Sequence, residues 1–149
     1  RDFFTVLKEQ GIGMESKSFA LGLRIEHPQT YINRWQMGTE VIDPEIRAAQ
    51  YKLTSYWDEE QVGVYSFCMC PGGIIAPCAT DTQEVVTNGW SPSKRNNIYA
   101  NSGIVVGVEP SDFLNPTDPF VCLDFQKEIE RKCMEREQRA ARKKNFRIH

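Results

Sequence analysis

A chain of 149 residues, 40% hydrophobic and 26% charged, is large enough for one well-packed core and short for two. No run approaches the roughly 18 uninterrupted apolar residues of a membrane span, and charge begins at Arg1 and Asp2, which excludes the apolar core of a signal peptide. The expectation is a soluble, cytoplasmic protein whose net charge of −2 is divided: residues 131–149 stand at +6 and residues 1–130 at −8.

Asp2 can cap a short helix in which Phe3, Val6 and Leu7 fall at helical spacing, and Gly11 and Gly13 stop it. The start at Arg1, with no initiator Met, suggests a piece of something larger. In Phe19-Ala20-Leu21-Gly22-Leu23-Arg24-Ile25 the odd positions are large and apolar, the period of a half-buried strand with Arg24 facing away from the core. Pro28 suits the first turn of a second helix running to about Gln36, with Tyr31, Ile32 and Trp35 as its apolar face. Residues 38–48 read as a loop.

Strand signals then dominate: Tyr51 to Trp57, Gly63 to Cys70, Ile74 to Ala79, Glu84 to Thr87 and Ile104 to Val108. Pro71-Gly72-Gly73 fits a tight turn, and Asn88-Gly89 carries the commonest two-residue hairpin signal, so the pairing is expected to be antiparallel. After the loop Asn115 to Pro119 comes a long helix with Phe125, Ile129 and Cys133 spaced by four, its apolar stripe ending near Met134. The sum is an α+β domain over residues 1–130: a mainly antiparallel sheet of five or six strands, with two or three helices packed on one face. Residues 131–149 read as a basic helical tail, belonging to the same domain or to a fragment end.

The densest chemistry is Cys68-Met69-Cys70-Pro71-Gly72-Gly73. On a strand both thiols would point to one face, and the glycines behind them would let backbone approach a flat ligand. Five cysteines in a chain of this size argue for thiols over a disulfide framework, and an extended Cys-x-Cys does not readily close on itself. One reactive thiolate, a shared metal completed by Cys78 and His27, and simple packing as small apolar groups all stay open, although Cys-x-Cys-x7-Cys matches no familiar zinc pattern. His27, at a strand-to-helix junction, could act as acid, base or hydrogen-bonding cap. Arg24 could clamp an anionic group or pair with Glu26, the plainer role. Asn88, Ser91, Arg95, Asn101 and Ser102 offer amides, hydroxyls and a cation to a cofactor or substrate, and are also ordinary turn residues. The chain has no Gly-x-Gly-x-x-Gly, no phosphate loop and no Gly-x-Ser-x-Gly elbow.

Phe19-Ala20-Leu21-Gly22-Leu23-Arg24-Ile25-Glu26-His27-Pro28-Gln29, Tyr65-Ser66-Phe67-Cys68-Met69-Cys70-Pro71-Gly72-Gly73, Val86-Thr87-Asn88-Gly89-Trp90-Ser91, Arg95 and Ala100-Asn101-Ser102 together resemble the poorly characterised FAD-dependent, or NAD(FAD)-utilising, dehydrogenases. The resemblance covers about residues 1–130. It implies the substrate or cap region inserted in a flavoprotein whose FAD fingerprint lies upstream, with the flavin-binding domain of the same polypeptide as partner and a small molecule as substrate. FAD would then belong to the longer protein and not be held tightly by this chain alone. Cys68, Cys70, Gly72, Gly73, Asn88 and Asn101 would lie toward the flavin or substrate cleft. The family continues into a glycine-rich segment where Cys133 to His149 is basic and lacks glycine. A different class of function, an RNA- or protein-binding module acting through that basic helix, predicts strongly salt-dependent binding, although Phe146 is the tail's one aromatic platform.

Overall fold

A computed structural model describes the backbone of residues 2–40, 46–59, 62–79 and 81–145, with side chains through Ala140. The elements in chain order are α1 (Asp2–Glu9), β1 (Phe19–Pro28), α2 (Gln29–Met37), β2 (Thr54–Trp57), β3 (Val62–Cys70), β4 (Ile74–Pro77), β5 (Thr87–Trp90), β6 (Tyr99–Val108), a 3-10 turn (Pro110–Asp112) and α3 (Val121–Asn145). The α+β class holds, but the six strands divide into a four-stranded sheet, β1-β6-β3-β2, and a two-stranded one, β4-β5. Part of the expected 38–48 loop, residues 41–45, lies outside the described residues, as does Phe146. No helix among the described residues is long and apolar enough to cross a membrane.

The chain gathers into two compact units. One contains the residues up to Ala20, Asp81–Val85 and everything from Val108; the other contains Leu21–Thr80 and Val86–Gly107. In the first, α1 is closed by Gly11 at φ 71°, whose N–H reaches the Lys8 carbonyl while the Ile12 N–H reaches that of Leu7. Asp2 sits within the first turn, not ahead of it. Asp118 prepares the start of α3: its carboxylate accepts the Phe120 N–H at 3.0 Å and its carbonyl that of Val121 at 3.2 Å. Phe125 on α3 meets Phe113 edge to face at 5.2 Å between ring centres.

The second unit departs from the apolar pattern in an instructive way. On α2 the buried residues are Gln29, Ile32 and Asn33, whereas Tyr31 and Trp35 are exposed. The face expected from Tyr31, Ile32 and Trp35 is thus rotated, because amides with a full set of partners bury as well as aliphatic groups do. Gln29 Nε2 donates to Asn33 Oδ1 and to the Ala49 carbonyl, both at 2.9 Å. Asn33 Oδ1 accepts the Ala49 N–H, and Gln29 Oε1 accepts the Gly72 N–H at 2.7 Å. Ile32, Ala49 and Tyr51, with Met69 against them, supply the small apolar cluster beside this lattice.

Asn88-Gly89 is not a hairpin turn. Both residues lie inside β5, paired with Ala76 and Ile75 of β4, and the strand expected at Glu84 to Thr87 begins only at Thr87. Pro71-Gly72-Gly73 does turn, with Gly72 at φ 53°. It does not return β4 onto β3 but sends the chain into the second sheet.

Candidate functional site

The candidate site residues singled out from the sequence all fall in the second unit, where β6 divides most of them between two networks. Asn101 and Ser102 are consecutive and fully buried, and consecutive strand residues project to opposite faces.

The first network forms around Asn101. Arg24 Nη1 donates to Asn101 Oδ1 at 2.6 Å and to the Cys68 carbonyl at 3.1 Å, and lies 3.9 Å from Cys70 Sγ. Cys70 stands directly opposite Asn101 in the β3–β6 register. Gly89 closes the group: a methyl there would stand 2.5 Å from Cys70 Sγ and 2.6 Å from Asn101 Oδ1, and would overlap Arg24 Nη1. The expected outward Arg24 is therefore turned inward, while Leu23 and Ile25 are exposed. Its partners among the described residues are neutral, which replaces the expected pairing with Glu26; that glutamate accepts the Ile75 N–H instead.

The thiols do not follow a simple strand alternation. Register is lost between Phe67 and Cys70, and Cys68 adopts φ 48°, a left-handed conformation that costs a non-glycine residue about 1–2 kcal/mol. Phe67 and Cys70 pair with Gly103 and Asn101 and so share a phase. Cys68 is left exposed at the bulge while Cys70 is partly covered. Burial pushes the Cys70 thiol up, the neighbouring Cys68 adds to this, and the Arg24 guanidinium opposes both. Cys68 also lines a groove of about 870 Å³ between the stretch Gln50–Tyr56 and strand β3.

The second network holds His27. Its Nε2 is 2.8 Å from the Tyr51 hydroxyl, which in turn meets the Ser102 hydroxyl; Ser102 Oγ donates to the Gly103 carbonyl at 3.0 Å. Among the described residues, His27 Nδ1 and Asn101 Nδ2 are both buried without a hydrogen-bond partner. Strand alternation sets His27 and Tyr51 on the Ser102 face and Cys70 with Arg24 on the other, so the structure does not join the expected acid–base histidine to the Cys70 thiol.

Burial raises the Tyr51 hydroxyl above its ordinary value of 10.0, and the Ser102 bond opposes the shift. A folded value above the unfolded one means stability is intact below pH 10.0 and is lost as pH rises through the folded value. Urea midpoints should therefore show wild type losing ground to Tyr51→Phe between about pH 8 and about pH 11. A gap between the two that is the same at both pH values would refute this.

Gly72 and Gly73 offer no open backbone to a ligand. A methyl on Gly72 would overlap the Arg95 carbonyl, and one on Gly73 would overlap the Trp90 carbonyl and stand 2.5 Å from Ser91 Oγ. The close approach that these glycines permit is of the chain to itself. Ser91 is half-buried and donates to the Pro71 carbonyl at 2.9 Å. Arg95, at φ 49°, and Asn88 keep exposed side chains. Among the described residues no three His, Cys, Asp or Glu side chains gather closely enough for a metal, so Cys68, Cys70, Cys78 and His27 do not form the ligand set considered above. Tyr51, Gln29, Asn33 and Gly89 carry no site role in the sequence reading. Only the Gln29–Asn33 spacing of four, one helix face, could have signalled them.

Comparison with known proteins bears on this geometry. Residues 18–148 match the family model described as FAD-dependent protein, C-terminal domain-like, a span that begins after α1 and takes in the basic stretch that the sequence resemblance left out. An uncharacterized protein of Clostridium beijerinckii is 42% identical over 130 residues, covering 87% of this chain and 24% of that protein. The chain thus spans about a quarter of the length of the curated relative it matches. With nearly its whole length matched, and with the Arg24, Cys68–Gly73, Asn88–Ser91 and Asn101 segments all inside that match, the chain belongs to the FAD-dependent protein, C-terminal domain-like family.

Proposed function

We propose that this chain is the substrate-facing part of an FAD-dependent oxidoreductase, acting against a flavin-binding domain carried elsewhere in the same polypeptide. The observation that carries the reading is the exposed Cys68 thiol, held on a left-handed bulge residue at the wall of the groove and backed by Arg24, Cys70 and Asn101. Strained non-glycine backbone of this kind persists where the surrounding structure enforces it, and such residues cluster at functional sites.

The residues present do not fit a self-contained dinucleotide site. The spaces above Gly72, Gly73 and Gly89 are filled by the chain's own atoms, leaving no glycine hollow in that cluster for a pyrophosphate. A bound flavin would supply the electron chemistry. This chain contributes Cys68, Asn88 and Arg95 as exposed groups toward cofactor or substrate, with Arg24, Cys70, Asn101 and Ser91 on the supporting side, while Ser102 is held in the Tyr51 network. His27 belongs to the Tyr51 network on the opposite face.

The competing reading, an RNA- or protein-binding module, rests on the basic end of α3. Part of that charge is paired within the helix, Lys132 with Glu128 at 2.5 Å and Arg139 with Glu135 at 3.9 Å, as expected of a solvated helix face. The test is the visible spectrum of the longer natural polypeptide beside that of the 149-residue chain. The expected result is flavin bands near about 370 and 450 nm in the former and none in the latter. A longer protein that stays colourless after FAD is added would overturn the oxidoreductase reading and leave the basic helix as the better candidate.

A further inference from the structure

We propose that Cys68 and Cys70 are a thiol–disulfide exchange pair, Cys68 attacking and Cys70 resolving, and that their substrate is a disulfide-bearing molecule seated in the groove beside β3. This deepens the reading above by naming a substrate class for the same site.

Four observations carry it. Cys68 is exposed and lines the groove, whereas Cys70 is partly covered and does not; that asymmetry is the one an attacking and a resolving thiol require. An extended strand carries residues two apart on parallel side chains at the outer limit of disulfide reach. Here the pleat is broken between the two cysteines by the bulge and by the positive φ of Cys68, and Cys70 Sγ turns back to within 3.4 Å of the Cys68 carbonyl, so the extended-strand spacing does not apply. Arg24 Nη1 bonds the Cys68 carbonyl and approaches Cys70 Sγ, placing a fixed cation where a thiolate forms during resolution. Finally, Asn101, directly across the ladder from Cys70 and fully buried, has an Nδ2 without a partner among the described residues. Such a donor beside a thiol is costly unless a sulfur anion or a ligand acceptor uses it.

The groove fits the remainder of such a substrate. Exposed Leu53, Tyr56 and Phe67 line it together with Lys52 and Ser66, giving apolar contact surface with polar groups beside it. In the reaction the Cys68 thiol gives up its proton, and its sulfur attacks one sulfur of R–S–S–R′. The substrate S–S bond breaks, R′S⁻ leaves and is protonated, and Cys68 is joined to the R sulfur. The Cys70 thiol then loses its proton and attacks Cys68 Sγ, and RS⁻ leaves and is protonated. The substrate gains two electrons and two protons; the pair loses the same and ends as a Cys68–Cys70 disulfide.

The test reads this half-reaction by mass, independently of any flavin. The longer natural polypeptide, reduced and freed of reductant, is treated with oxidised glutathione, quenched with a maleimide at intervals, digested and weighed. The peptide spanning Cys68 and Cys70 should lose two hydrogens and become refractory to maleimide about tenfold faster than the exposed Cys78 or Cys133 acquires a glutathione adduct. Cys70→Ser should accumulate the glutathione adduct on Cys68, and Cys68→Ser should yield neither adduct nor link at Cys70 on that timescale. A wild-type protein in which the link fails to form, or forms no faster than Cys78 and Cys133 react, overturns the proposal. That failure can occur in a yellow protein, and the link can form in a colourless one, so the exchange reaction and the flavin reading stand or fall separately.

Discussion

Gly72→Ala is expected to destabilise the second unit by about 4 kcal/mol, combining about 1 kcal/mol for a left-handed non-glycine residue with about 3 kcal/mol for overpacking against backbone. The Cβ would overlap the carbonyl carbon and oxygen of Arg95, which belong to main chain and cannot rotate away as a side chain would. Arg95 is itself at φ 49°, and Asn97 N–H reaches the Gly72 carbonyl at 3.3 Å, so moving one side of this contact disturbs the other. In urea, at a dependence of about 2 kcal/mol per molar, the midpoint should fall by about 2 M. Gly107→Ala is the matched control, since nothing stands within 4 Å of its Cβ, and its midpoint should move little or rise. Equal midpoints for the two variants would show that the Pro71–Gly73 turn yields freely and that the tight approach is not needed.

Gln29→Leu should be comparably severe, about 4 kcal/mol, although it exchanges a polar side chain for an apolar one of similar size in a fully buried position. Hydrophobic bookkeeping alone would predict a gain. The loss arises from what Gln29 satisfies: the Gly72 N–H, the Ala49 carbonyl and Asn33 Oδ1. Each group left unpaired in the interior costs about 1–3 kcal/mol. Hydrogen exchange offers a direct readout, because the Gly72 amide should lose its protection in Gln29→Leu while amides in α3 keep theirs. Tyr31→Ala, two residues along the same helix but exposed, should leave both unchanged. Protection of Gly72 that survives in Gln29→Leu would show that another acceptor replaces Oε1.

These two residues also mark how far the amino-acid sequence could be read. The helices and most strands are visible in it, because α1, β1, α2, β3 and α3 are long enough for periodicity to register. What failed were inferences about which way a side chain faces. Periodicity counts apolar residues, and in α2 it selects Tyr31 and Trp35, whereas the partners that let Gln29 and Asn33 bury, Ala49 and Gly72, lie 16 to 43 residues away. The same alternation points Arg24 outward, and its inward turn depends on Asn101, 77 residues later. Asn88-Gly89 reads as a turn locally, yet Gly89 is needed inside β5 because only a glycine leaves room for Arg24, Cys70 and Asn101. The residue types of the candidate site were thus legible. The division of His27 from Cys70 by β6, and the bulge that frees Cys68, required the register.

The amide lattice bears on temperature. The largest fully buried side chains among the described residues are Gln29, Asn33, Asn101 and Ser102, so unfolding this unit hydrates polar surface where an aliphatic core would hydrate hydrocarbon. Polar hydration lowers the heat capacity of unfolding and apolar hydration raises it. The balance here gives a shallow dependence of stability on temperature, with less loss on cooling than a leucine-rich core of the same volume would suffer. The Arg24, Cys70 and Asn101 group is thereby held in a unit whose buried contacts are polar as well as apolar.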